Sequence, residues 1–264
     1  MGGHMLMHVD GSEALLKDLQ AVPVPEKTKS YQPVPYDVAV MAVEKRAVEE
    51  LGREVKTRQF GLSHNGAQMF GVLTFDMEVN ETGLSIGIRQ SYDKTVALGL
   101  CCGANVFVCD NLVFDGSSIR VVRRNTLNVW DDFKMLIDDA LEHALQDYHN
   151  ILGDALVLKA VPCPERVGAE IIGLAQYQSV LRPQQANVAF GDWRTPRYPA
   201  FTKRNLWSLY NCFTQGLKRT PAGATMESFA GTHKFFRDRI AELPDEMMDR
   251  AMQLVEKGQE AHAA

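Results

Sequence analysis

The sequence predicts an α+β fold: an antiparallel meander of four to six strands covered by long helices, with a helical C-terminal part. Three observations predict it. Apolar runs separated by turn pairs fill residues 56–122. A helical period of five or six turns begins at Val129. Beyond it, prolines and amphipathic stretches alternate toward the C-terminus.

Residues 1–35 end in Val22-Pro23-Val24-Pro25 and Gln32-Pro33-Val34-Pro35. Prolines at this density stop a helix or a central strand, so the segment reads as an extended or partly ordered arm. From Tyr36 to Leu51, Val40, Val43, Ala47 and Leu51 recur at helical spacing between charged residues, and Gly52 supplies the stop. Asn65-Gly66, between two apolar-rich runs, signals a hairpin joining strands over Arg58–His64 and Gln68–Val79. Further strands are expected over Leu84–Gln90, Lys94–Cys102 and Asn105–Phe114, hinged at Gly103, with a short one over Ile119–Val122. Short connectors demand antiparallel neighbours. The last long strands are apolar on both faces and need a cover. Phe133, Ile137, Ala140, Leu141, Ala144, Tyr148 and Leu152 supply one on a single long helix, with Asp131 and Asp132 favouring its N-terminus. Helices are then expected over Glu165–Leu181 and around Leu206–Leu217, and a short one over Glu246–Lys257. The expected organisation is an arm over 1–35, one α+β domain over 36–240 and an acidic helix and tail over 241–264.

Charge narrows the function. With 28 Lys+Arg against 33 Asp+Glu, the net charge is −5, which excludes an indiscriminate DNA-coating protein. The total conceals opposed blocks. Residues 182–239 hold ten Lys/Arg against three Asp/Glu, a net +7, and ten of the 22 aromatics. The last 25 residues hold six acids against two bases. Bases neutralise phosphates and aromatic faces stack on unpaired bases, so the basic block suits single-stranded nucleic acid. Trp207, Tyr210 and Phe213 share one helical face with Leu206 and Leu217 and read as core. Trp193, Arg194, Arg197 and Tyr198, among Pro196 and Pro199, read as a surface loop, followed by Lys203 and Arg204. Arg120, Arg123 and Arg124 form a second basic cluster, which fits phosphate contacts and ion pairs to Asp131 and Asp132 equally well.

Other classes lose support. The five cysteines form no C-x-x-C pair and read as buried thiols of a reducing, cytoplasmic setting. His143 and His149 are six apart and cannot make an i, i+4 metal pair on a helix. The zincin, P-loop and serine hydrolase motifs are absent. Nothing calls for a cofactor or metal. The longest nearly apolar run, Val96–Cys109, is 14 residues, too short to span a bilayer as a helix. The opening Met1-Gly2-Gly3-His4-Met5 looks like a cloning remnant rather than a signal peptide. A polar set remains along the strands: His64, Arg89, Asp93, Lys94, Asp110 and Asn111. Convergence of these groups would permit acid/base chemistry, whereas separate turns would make them structural.

Several runs carry a resemblance: Ser63-His64-Asn65-Gly66, Ile86-Gly87-Ile88-Arg89-Gln90-Ser91-Tyr92-Asp93-Lys94-Thr95, Val106-Phe107-Val108-Cys109-Asp110-Asn111-Leu112, Arg124-Asn125-Thr126 and Asn205-Leu206-Trp207-Ser208-Leu209-Tyr210-Asn211. Together they resemble the phage/plasmid-like protein family known as domain of unknown function 932, over roughly residues 55–220. The chain departs from that pattern at Gln90, where members often carry Asn, and at Tyr92 and Asn125, where they often carry His. Any imidazole chemistry at those two positions is therefore missing. The resemblance implies a mobile-element setting and no stated activity. A curved antiparallel sheet followed by a long helix also looks similar to the core of ring-forming single-strand annealing proteins.

The leading expectation is a nucleic-acid-binding protein of a phage or mobile element, acting on single-stranded DNA in recombination or replication, and a homo-oligomer. Arg120, Arg123, Arg124, Arg194, Arg197, Lys203 and Arg204 would contact phosphates; Trp193 and Tyr198 would stack bases. The alternatives are a nucleotide- or nucleic-acid-processing enzyme using the His64/Asp93/Lys94/Asp110 set, and a protein-binding host-defence antagonist.

Overall fold

A computed structural model describes residues 11–79, 82–106, 111–121, 127–218, 220, 224–246, 248–249 and 252–253. Its centre is a six-stranded antiparallel meander in sequence order: β1 (Gly11–Ala14), β2 (Val55–Ser63), β3 (Gln68–Val79), β4 (Thr82–Ser91), β5 (Gly99–Val106) and β6 (Asn111–Val121). The helices are α1 (Leu16–Ala21), α2 (Tyr36–Leu51), α3 (Val129–Ala160), α4 (Glu165–Tyr177), α5 (Pro183–Arg194), α6 (Leu206–Leu217) and α7 (Thr225–Ala241). The fold is thus the α+β meander that the patterning predicts. Among the described residues no helix is long and apolar enough to cross a membrane.

Strand alternation explains how the layers assemble. Every residue of β4 is buried, so both faces of the sheet are covered at its centre. Ile86 and Ile88 share a face with Cys102, whose Sγ donates to the Ala140 carbonyl of α3. Arg46 of α2 pairs with Asp138 of α3 at 2.8 Å, tying the two covering helices together. Arg89 points to the opposite face, where its guanidinium pairs with Glu227 of α7. Sheet and helical part share one continuous buried core.

Three local features differ from expectation. The proline-bearing arm contains structure: β1 pairs with the outer edge of β2, and α1 follows it. The segment from Lys94 to Leu98 is a loop, because the Ser91 hydroxyl accepts from the Val96 amide and donates to the Val96 carbonyl. Strand β5 therefore starts at Gly99 and runs through Gly103 without a hinge. The expected strand over Asn105–Phe114 is divided between β5 and β6, with residues 107–110 outside the described ones.

The helical part is packed by close approach. An added Cβ on Gly168 of α4 would collide with the Trp193 indole of α5, so only glycine lets these helices touch. Prolines at 162 and 164 end α3 and start α4. The linker between them pairs with the chain entering α6: the Cys163 amide donates to the Arg204 carbonyl at 2.8 Å and the Leu206 amide to the Val161 carbonyl at 3.0 Å. That short ladder sets the end of α3 beside the start of α6.

Candidate functional site

The meander puts its turns at two opposite ends, and the sequence-predicted polar residues divide between them. At one end, the 64–67 turn lies beside the 92–98 loop. The turn's Gly66 amide donates to the Ser63 carbonyl at 3.1 Å, and His64 and Asn65 have φ of 53° and 55°. Ser63 pairs with Gln68, and the Ala67 amide donates to the His64 carbonyl at 3.1 Å, so the hairpin loop is centred on Asn65-Gly66 as the sequence predicts. His64 Nδ1 lies 3.3 Å from the Ser63 hydroxyl, and Ser63 Oγ lies 3.5 Å from Gln68 Oε1. Gln68 Nε2 donates to Thr95 Oγ1 at 2.8 Å and to Asp93 Oδ2 at 3.4 Å. Asp93 also accepts from the Thr95 amide at 3.0 Å. Burial pushes the Asp93 carboxyl up, but hydrogen bonds from Thr95, Ser91 and Gln68 outweigh it and hold it below the usual range. Lys94 lies over the Tyr31 ring at 4.5 Å. Beneath this layer Tyr36 and Tyr92 stack at 3.9 Å, and burial pushes the Tyr92 hydroxyl up to about 12.

The rest of the polar set is elsewhere. Arg89 is buried within the sheet with Glu227 as its partner. Asn111 begins β6 opposite Val106, at the far end of the sheet, and Asp110 lies outside the described residues. The polar set therefore does not assemble around one point, which corrects the expectation of a joint acid/base site.

The expected nucleic-acid residues also separate. Trp193 is 2% exposed within α5, so the expected surface stacking residue is corrected to a core residue. Its indole N–H donates to the Glu165 carbonyl at 2.9 Å, and the Arg204 guanidinium covers its ring at 4.5 Å. Arg204 also donates to the Trp193 carbonyl and lies 3.8 Å from Glu165. Arg197 pairs with the buried Asp192 at 2.6 Å. Tyr198 is half-buried, edge-on to Phe201. Arg194 is exposed at the end of α5, beside a depression of about 390 Å³ that also contains Arg166 and Glu165. Arg166 pairs there with Glu170, and the Glu165 carboxylate would repel an anion. Arg120 lies in β6 opposite Leu100. Arg123 and Arg124 lie outside the described residues.

Lys203 differs from these. It is exposed, with no acidic partner within ion-pair reach among the described residues, and it lines a cleft of about 380 Å³. Thr82 and Val106, paired across β4 and β5, form one wall. Residues 199–203 form another, and Lys159, Asn205, Trp207 and Ser208 line the rest. Asn205 organises the site: its Oδ1 accepts from the Ser208 amide at 2.9 Å, capping α6, while its Nδ2 donates to the Lys159 carbonyl at 3.0 Å, in the last turn of α3. Lys159 is thereby fixed beside the positive end of α6, its ammonium 5.6 Å from the Trp207 ring. No acidic side chain lines the cleft among the described residues. Two ammonium groups and a helix N-terminus, with no carboxylate among the described lining residues, favour an anion.

Sequence reasoning misses Lys159, which sits in the last turn of a helix assigned to the core. Pro162 marks that helix end and Asn205 marks a capped helix start, but only the ladder between them brings the two lysines together. The register also separates the cleft from Arg120. Val106 and Leu100 are six residues apart on β5, about 20 Å along a strand. Comparison of the chain with known protein families, curated proteins and solved structures finds no match.

Proposed function

We propose that the protein binds nucleic acid through its phosphates, with Lys203 and Lys159 of the α3–α6 cleft as the principal contacts. The observation that carries this reading is the pair of lysines at a capped helix N-terminus, in a cleft lined by no carboxylate among the described residues. The resemblance to the phage/plasmid-like family adds a mobile-element setting, in which single-stranded DNA of recombination or replication is the substrate class. Base stacking by Trp193 forms no part of the reading, because that ring is buried. Arg197 and Arg204 are likewise engaged in ion pairs within the chain.

The test is fluorescence anisotropy of a labelled single-stranded oligonucleotide at two salt concentrations. Binding is expected to weaken as salt rises, because each neutralised phosphate releases counterions. Lys203→Glu should weaken binding by about tenfold, since it removes one phosphate contact and adds a repulsive charge. The same exposed substitution should change stability by about 0.5 kcal/mol or less. Absence of binding at micromolar protein and low salt overturns the proposal.

A further inference from the structure

The depression between α4 and α5 has a different chemistry from the lysine cleft. Glu165, Arg166 and Ala169 of α4 line it with Phe190, Trp193 and Arg194 of α5. Close helix approach fixes its floor. Gly168 lets the Trp193 indole lie against α4, and the Glu165 carbonyl holds the ring N–H at 2.9 Å.

Two groups here are left over by the fold. Phe190 is half-buried, yet its ring contacts no other aromatic ring among the described residues. Arg194 is exposed, and its guanidinium has no hydrogen bond, ion pair or ring contact among them. Their neighbours are occupied: Arg166 pairs with Glu170 at 2.9 Å, and Arg204 lies over the Trp193 ring at 4.5 Å. The Glu165 carboxylate on the rim disfavours a phosphate but accepts hydrogen bonds from N–H groups. An unpaired base matches this set. Its faces stack on aromatic rings and guanidinium planes, and its edge carries N–H donors. A volume of about 390 Å³ holds one base with its sugar.

Arg204 joins the depression to the cleft. Its guanidinium lies 3.8 Å from Glu165, and the residue before it, Lys203, lines the cleft. A strand held at Lys203 therefore has a neighbouring base within reach of the depression. We infer that the α4–α5 depression takes one unpaired base of the strand whose phosphates meet the lysine cleft, and favours a base that presents an amino group to Glu165. The inference rests on the nucleic-acid reading, and the experiment separates the two.

Anisotropy titrations at low salt and neutral pH compare oligo(dC), oligo(dT) and an abasic strand of the same length and phosphate number. Arg194→Lys keeps the charge and removes the planar group that stacks. Ala169→Trp fills the depression, and its unfolding temperature is measured alongside. Glu165→Ala removes the acceptor for the amino group. Oligo(dC) should bind about tenfold more tightly than the abasic strand, the scale of one stacked base. Oligo(dT) should fall between them, because thymine presents a carbonyl where cytosine presents an amino group. Arg194→Lys and Ala169→Trp should each shrink the advantage of oligo(dC) while abasic binding is unchanged. Glu165→Ala should bring oligo(dC) level with oligo(dT). Equal binding of all three strands overturns the inference, leaves the nucleic-acid reading standing and leaves the depression to an apolar group of a protein partner. A base preference untouched by Arg194→Lys and Ala169→Trp also overturns it, because the base is then read elsewhere. No binding in any arm overturns both.

Discussion

The two ends of the sheet are equally rich in polar side chains, yet they use them in opposite ways. At the 64–67 and 92–98 end, Ser63, Gln68, Asp93 and Thr95 satisfy one another in a closed chain of hydrogen bonds. Lys94 is drawn onto an aromatic ring. At the cleft end, Asn205 is saturated, while the exposed Lys203 ammonium has no acidic partner among the described residues. A polar cluster that closes on itself is a structural clasp. One that leaves a charge over is built to meet a ligand.

The strongest way to break this contrast is to remove the saturated Asn205 of the cleft. Asn205→Ala deletes the cap of α6 and the bond to the end of α3 together. A lost cap costs about 1 kcal/mol and the stranded Lys159 carbonyl adds to it, so a total loss of about 2 kcal/mol is expected in urea unfolding. Oligonucleotide binding should fall with it, because Lys159 loses its position. Asn205→Asp sharpens the result. Aspartate caps a helix as well as asparagine, so stability should recover most of the loss, yet the carboxylate now faces the two lysines and binding should stay weak. Recovery of full binding in Asn205→Asp would show that Asn205 matters only as a cap.

At the closed end the effects are smaller and appear in pH dependence. Asp93→Ala should cost about 1 kcal/mol, the scale of the hydrogen bonds it breaks. The sign follows from the lowered carboxyl. A group whose folded-state value is depressed contributes stability above its unfolded value, near 3.9 for aspartate. That contribution is lost as pH falls through the folded value. Asp93→Asn keeps an acceptor and removes the titration. Its unfolding temperature should therefore fall less steeply than that of the parent chain below about pH 4. Nucleic-acid binding at neutral pH should be the same in both variants as in the parent chain.

The sequence conveys the meander, because turn pairs and short connectors leave antiparallel neighbours as the only arrangement. It conveys less wherever a distant partner decides. Val96, Ala97 and Leu98 read as strand, but a single side chain, Ser91, folds them into a loop. Strand β1 is hidden in a proline-bearing arm because its existence depends on the free edge of β2. The basic block shows the same limit in charge. Arg197 and Lys234 find acids inside the 182–239 window, but Arg204, Arg237 and Arg239 pair with Glu165, Asp154 and Glu242 outside it. A net charge summed over a window counts bases whose partners lie beyond its borders. Lys203 was legible as an exposed base, whereas Lys159 became part of a site only through the Val161–Cys163 and Arg204–Leu206 ladder.

The smallest expected effect separates a turn residue from a chemical one. His64 is the first residue of the β2–β3 loop, with φ of 53°, where an L-residue is strained and glycine is not. Its imidazole reaches only the neighbouring Ser63 hydroxyl at 3.3 Å. His64→Gly relieves the strain but loosens the unfolded chain, two terms of opposite sign that leave a change of about 0.5 kcal/mol or less. Measured by urea unfolding, the variant should match the parent within that margin, and its oligonucleotide affinity should be unchanged because the cleft lies at the other end of the sheet. A large loss of binding in His64→Gly with stability intact would place chemistry at the closed end and reverse the assignment of the two ends.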